Sequence, residues 1–209
     1  MTAFTVLPDP EAAARHVAAQ VPARGHVALA GGTSPRRAYE LAEPGEAEFW
    51  LVDERCVPND HPESNGLMLR QSLGEGAHVR AARGELGPED AAWLYARELV
   101  AALGDEPVFD LVVLGLGPDG HIASLFPDHP EAWSRHAPVI AIRRSPKPPP
   151  ERITLTLPVI ARARHTVLLV TGDGKREALA RVCARDEALP VSALGDGLDE
   201  IVCDRAAAG

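Results

Sequence analysis

The chain predicts an α/β fold, a single-domain, doubly wound, mostly parallel open sheet with helices on both faces in a Rossmann-like arrangement. Three observations carry that expectation. Short aliphatic runs alternate with amphipathic or Ala-rich segments almost from end to end, the pattern of repeated βα units. Some runs, above all Leu111–Leu114, are continuously apolar, which suits strands buried on both faces of a parallel sheet. Glycine-rich turns follow three of the strands, at Gly31-Gly32, Gly115-x-Gly117-x-x-Gly120 and Gly172-x-Gly174. A length of 209 residues is enough to bury a real core and lies near the upper limit for one compact domain, so one domain over 1–209 is expected.

Taken in order, Phe4–Leu7 reads as the first strand, and Asp9 is placed to cap a helix over Pro10–Gln20. A strand at His26–Ala30 leads into a helix at Pro35–Ala42, with Pro35 in the first turn where proline is tolerated. Phe49–Val52 is the next strand, closed by Asp53-Glu54-Arg55. Ser64–Leu73 and Pro88–Leu103 then read as helices, the second again opened by proline. Phe109–Leu114, Pro138–Ile142, Ile153–Leu157, Thr166–Val170 and Glu200–Cys203 complete the strands, with helices at Pro158–Arg164 and Lys175–Ala184. There are no repeats. The one biased segment, Ser145-Pro-Lys-Pro-Pro-Pro150, reads as an extended loop too short to link domains.

Composition excludes several classes. The net charge of -9 is spread over interspersed acids and bases, which argues against nucleic acid but leaves room for a small anion in a local basic pocket. Cys56, Cys183 and Cys203 are far apart, odd in number and free of any C-x-x-C pair, as expected of reduced thiols in the cytoplasm. No segment resembles a signal peptide, and no apolar run approaches eighteen residues, so neither export by that route nor a membrane partner is expected.

The chemistry concentrates where strands meet glycine turns. The run Gly115-Leu-Gly-Pro-Asp-Gly-His121 ends a buried strand, at the sheet edge where open α/β folds bind ligands, and His121 is the side chain able to exchange protons near neutral pH. Its Gly-x-Gly-x-x-Gly spacing also spells a dinucleotide fingerprint, but Pro127 and Pro130 interrupt any following helix. Near Ala141 stand Arg143 and Arg144 rather than the required carboxylate, which leaves an NADP site using those arginines as a minor alternative. The Gly31-Gly32-Thr33-Ser34 turn offers backbone N–H groups, two hydroxyls and the positive end of a helix, together a ready anion site.

Asp53, Glu54 and Arg55 leave a strand on the same sheet edge, followed by a loop with His61, Ser64 and Asn65. Arg152 opens a later strand. Lys175 sits at a helix start, where it repels the helix dipole unless an anion lies between it and the glycine turn. His121, His129 and His136 lack metal-ligand spacing, and Ser124 lacks a nucleophile elbow, so no metal and no cofactor are expected.

Assembled, these segments resemble the 6-phosphogluconolactonase family. The resemblance rests on Ala30-Gly-Gly-Thr-Ser-Pro35, Asp53-Glu-Arg55 with Val57-Pro58, His61-x-x-Ser64-Asn65, Gly115–Pro127, Glu151-Arg-Ile-Thr154 and Gly172-x-x-Lys175. Glucosamine-6-phosphate deaminases share the Gly-x-Asp-Gly-His core, but Ala-Ser-Leu-Phe-Pro after it favours the lactonases. The chain is somewhat short for the family, and Thr33-Ser34 replaces the commoner Ser-Thr order.

The resemblance implies hydrolysis of 6-phosphoglucono-1,5-lactone, a sugar-phosphate lactone, by a cytoplasmic monomer or weak homodimer. In that reading His121 is the base, Asp53 orients the imidazole or the water, and Arg55 stabilises the carbonyl oxygen or holds substrate. Gly31, Gly32, Thr33, Ser34, Arg152 and Lys175 meet the phosphate, with His61, Asn65, Gly117 and Asp119 also at the substrate. The alternatives are a deaminase-isomerase and a noncatalytic sugar-phosphate sensor. The sensor would carry an additional DNA-binding domain, for which a first strand at Phe4 leaves no room.

Overall fold

The computed structural model describes all residues, Met1–Gly209. Ten strands and seven α-helices follow one another as β1 (Ala3–Leu7), α1 (Pro10–Ala18), β2 (His26–Leu29), α2 (Thr33–Leu41), β3 (Glu48–Leu51), β4 (Asp53–Arg55), α3 (Asn65–Leu73), β5 (His78–Arg80), α4 (Pro88–Leu103), β6 (Leu111–Gly115), β7 (Val139–Ile142), β8 (Arg152–Leu155), α5 (Leu157–Ala161), β9 (Thr166–Val170), α6 (Arg176–Cys183), β10 (Glu200–Asp204) and α7 (Arg205–Ala208). Asp9 caps α1 by accepting from the Ala12 N–H, and Ser64 caps α3 by accepting from the Leu67 N–H, each satisfying one of the otherwise free donors of the first turn. No helix is long and apolar enough to cross a membrane.

Seven strands form a parallel sheet in the order β1-β10-β9-β6-β2-β3-β5. From β2 the chain moves outward to β3 and β5, then returns to β6 on the other side of β2 and runs outward again through β9 and β10. Right-handed crossovers therefore place α1, α2 and α3 on one face and α4, α5 and α6 on the other. The reversal between β2 and β6 is the switch point at which the loops leaving two adjacent strands part and open a crevice. One cluster of 54 buried residues fills both faces.

The structure departs from the expected single sheet in one respect that matters for the site. Asp53–Arg55 is not the end of β3 but a strand of its own, antiparallel to β8, which pairs in turn with β7. Thus β7 and β8, read from sequence as members of the main sheet, form a separate three-stranded sheet, and Leu157 starts α5 instead of ending a strand. In this register Asp53 lies opposite Thr154 and Arg55 opposite Arg152. Three charged residues can form a strand here because backbone pairing, not apolar alternation, holds them. The short β5 and the C-terminal α7 also lie beyond the expected elements.

Candidate active site

A cleft of about 200 Å³ opens at the carboxyl ends of β2, β6 and β9. The loop after β2 enters it first. Gly32, at φ 114, turns the chain into α2 in a conformation that favours glycine. No protein acceptor meets the N–H groups of Gly31, Gly32, Thr33 or Ser34, so four successive donors face the crevice at a helix N-terminus. The Ser34 hydroxyl shares a 2.5 Å hydrogen bond with Thr171, which ties this loop to the one after β9.

The loop after β6 supplies the titratable centre. Gly120, at φ 88, and Ala123, at φ 52, fold it back, with the Gly117 N–H donating to the His121 carbonyl at 2.8 Å. A left-handed alanine is strained and persists where the surroundings hold it. The His121 Nδ1 meets Asp119 Oδ1 at 2.5 Å, and Phe126 packs against the imidazole at 4.6 Å between centroids. In the neutral imidazole this contact selects the tautomer with the proton on Nδ1, which Asp119 accepts, and the lone pair on Nε2. Burial alone would raise the Asp119 carboxyl, but the hydrogen bond and charge of His121, with Lys147 beside it, hold it well below the usual carboxylate range. Gly117 is required here for space, since a Cβ would overlap the His121 ring and the Asp119 carboxylate.

Cations line the rest of the wall. Lys175 makes no ion pair, and burial, followed by the like charge of Lys147, pushes its ammonium below the ordinary value, with Asp119 opposing. Arg55 donates from Nη1 to the Glu63 carbonyl at 2.6 Å, while its buried Nε has no partner. Lys147 reaches in from the Pro-rich loop, its Nζ 3.2 Å from Asp119 Oδ2. Against a net charge of -9 for the chain, the cleft gathers four cations and the Asp53 carboxylate on its wall, with Asp119 behind it.

Buried carboxylates hold these parts together. Glu54, 1% exposed, accepts from the N–H groups of Arg55, Asn65 and Gly66 and from the Ser64 hydroxyl, which fixes the start of α3 against β4. Burial raises its carboxyl, against the pull of those four donors. Asn65 donates to the Asp53 carbonyl at 2.9 Å, and its amide sits where a Cβ on Gly31 would be. Asp53 Oδ2 accepts from Ser124 at 2.6 Å.

Of the residues singled out from sequence, Gly31, Gly32, Thr33, Ser34, Asp53, Arg55, Asn65, Gly117, His121, Arg152 and Lys175 all line the cleft. His61 does not. Its Nδ1 accepts from the Glu63 N–H at 3.2 Å, a local turn contact that keeps it in the preceding loop. Asp119 stands behind His121 rather than on the wall, and it, not Asp53, touches the imidazole. The guanidinium of Arg152 is spent largely on protein, donating to the carbonyls of Lys147, Pro148 and Pro149 and to Ser124. Lys147 and Thr171 line the cleft without having stood out in the sequence. Only the lysine's place within a proline-rich run pointed to its loop. After Gly120 no helix begins, so the Gly-x-Gly-x-x-Gly run does not open a dinucleotide site.

Residues 10–203 match the family described as glucosamine-6-phosphate isomerases/6-phosphogluconolactonase. The chain belongs to this family. The 6-phosphogluconolactonase of Homo sapiens is 45% identical over 163 residues, 73% of this chain and 63% of that protein. Its counterpart from Streptomyces coelicolor is 41% identical over 168 residues, with the same 73% and 63% coverage. The chain thus matches less than two thirds of the length of these relatives. The solved 6-phosphogluconolactonase of Thermotoga maritima superposes with a TM-score of 0.84 at 27% identity, covering 98% of this chain and 100% of that one.

Proposed function

We propose that this chain, acting as one domain, hydrolyses the ester bond of a 6-phosphorylated gluconolactone, the substrate named by its relatives. The observation that carries the reading is the placement of His121 Nε2, its partner nitrogen fixed by Asp119, in the same cleft as four unpartnered backbone N–H groups and the unpaired ammonium of Lys175. The first arrangement is a positioned base. The second is an anion cradle that has no other use for its donors.

A lactone is an activated acyl group whose leaving oxygen stays tethered, so water, a base and charge stabilisation suffice. Phosphate bound by Gly31–Ser34 and Lys175 places the sugar ring toward the β6 loop. His121 Nε2 takes a proton from water as the water oxygen bonds to C1 and the carbonyl electrons move to oxygen. When the tetrahedral intermediate collapses, the C1–ring-oxygen bond breaks, and the imidazolium returns its proton to that oxygen. Asp119 fixes the ring plane and tautomer throughout, the task that the sequence reading gave to Asp53.

The test is acid release from freshly prepared 6-phosphogluconolactone above the spontaneous rate. A folded His121→Ala variant is expected to lose about 10²- to 10⁴-fold in kcat with KM little changed, the usual worth of a general base. Ammonia release from glucosamine 6-phosphate is expected to be absent. Turnover close to wild type in His121→Ala, or deamination in place of acid release, refutes the reading.

A further inference from the structure

The Pro-rich loop between β7 and β8 does more than connect them. Lys147 Nζ lies 3.3 Å from Asp119 Oδ1 and 3.2 Å from Oδ2, and 3.4 Å from His121 Nδ1. No other cation makes a hydrogen-bond-length contact with the Asp119–His121 pair. Two donors cannot bond to each other, so the ammonium is held by the carboxylate and keeps the rest of its hydrogen-bonding capacity for the cleft it lines.

The loop is built to hold it there. Arg152 donates from Nη2 to the Lys147 and Pro148 carbonyls at 3.1 and 3.2 Å and from Nε to the Pro149 carbonyl at 3.0 Å. The Lys147 N–H donates to Ser145 Oγ at 3.2 Å. Arg152 is itself 4% exposed and bonded to Ser124, whose hydroxyl donates to Asp53. Asp53, Ser124 and Arg152 thus form a buried relay that ends at the backbone of Lys147.

We infer that Lys147 is a catalytic residue whose ammonium stabilises the negative charge on the lactone carbonyl oxygen, with Arg152 as its positioning residue. The inference rests on the lactonase reading above and replaces Arg55 in the role the sequence suggested for it. As the water oxygen bonds to C1 and its proton passes to His121 Nε2, the carbonyl electron pair settles on oxygen beside a cation already in place. That charge is absent from the ground state, so the contact accelerates turnover without tightening substrate binding.

Lys147→Met and Lys147→Arg, each checked for an unchanged melting transition, separate this from a structural role. Loss of an oxyanion partner costs about 10²- to 10³-fold in kcat. Lys147→Met is expected to show that loss with KM for the phosphorylated lactone within about threefold of wild type, and Lys147→Arg, which keeps the charge, to recover at least about tenfold of it. Arg152→Met is expected to lower kcat in the same direction. Should Lys147→Met leave kcat intact or act only on KM while His121→Ala is inactive, the assignment of Lys147 falls and the lactonase reading stands. Equal losses in Lys147→Met and Lys147→Arg also overturn it. A wild type that does not accelerate lactone hydrolysis overturns both.

Discussion

Replacing Asp119 with asparagine removes one charge from the back of the imidazole and leaves its shape. A hydrogen bond to an ionised group is worth about 1.5–3 kcal/mol. The Asp119 side chain is 39% exposed, so solvent screening favours the lower end, about 1.5–2 kcal/mol. At 1.36 kcal/mol per decade this is roughly a 10- to 30-fold fall in kcat. KM is expected to hold, because Asp119 stands behind the cleft wall. The assay is titration of released acid at constant pH, corrected for spontaneous hydrolysis.

The same substitution has a stability signature. The folded carboxyl titrates below its ordinary 3.8, so its contribution is complete above that value and is lost as pH falls through the folded one. Melting transitions of the two proteins should differ at pH 7 and converge as the pH drops below about 4. An unchanged kcat, or a loss confined to KM, would refute the assignment of Asp119 as the group that holds the base.

Lys175→Ala should mainly raise KM for the phosphorylated lactone and erase much of the preference over unphosphorylated gluconolactone; an undiminished preference moves the phosphate elsewhere. Gly117→Ala places a methyl inside the Asp119–His121 contact and should cost at least about tenfold in kcat in a protein that still melts cooperatively, which circular dichroism and initial rates together will show. Activity should survive exhaustive dialysis against EDTA, because His121 and Lys147 perform the tasks a metal would; activity lost to a chelator and restored by stoichiometric metal would contradict this.

The parallel strands were legible because burial on both faces leaves a continuous aliphatic run, and β6 and β9 show it in Leu111–Leu114 and Val167–Val170. β4 was not, since Asp-Glu-Arg has no apolar period and becomes a strand only by pairing with β8, about a hundred residues later in the chain. The glycine turns and His121 announced themselves through backbone chemistry that depends on local sequence. The orienting role of Asp119 was harder to read, because two carboxylates compete on paper and only the folded turn brings one of them to Nδ1. Lys147 and the inward-facing donors of Arg152 are consequences of a loop path, and nothing in Ser145–Pro150 encodes which carbonyls an arginine beyond it will bind.

The strand order sets a timetable for the folding of this sheet. β1, the first strand of the sheet in chain order, pairs only with β10, Ala3 lying opposite Glu200. During folding β1 has no neighbour in the sheet until β10 is available, and Phe4 and Val6 remain about half exposed even after it docks. The β2, β3 and β5 ladder can form early, and β6 completes the crevice. Closing β1 onto β10 spans almost two hundred residues, a contact of high separation that is slow to form and leaves a pairing edge open in the meantime. Before that closure the incompletely folded chain therefore carries a self-association hazard at β1 and at the unpaired edge of β10.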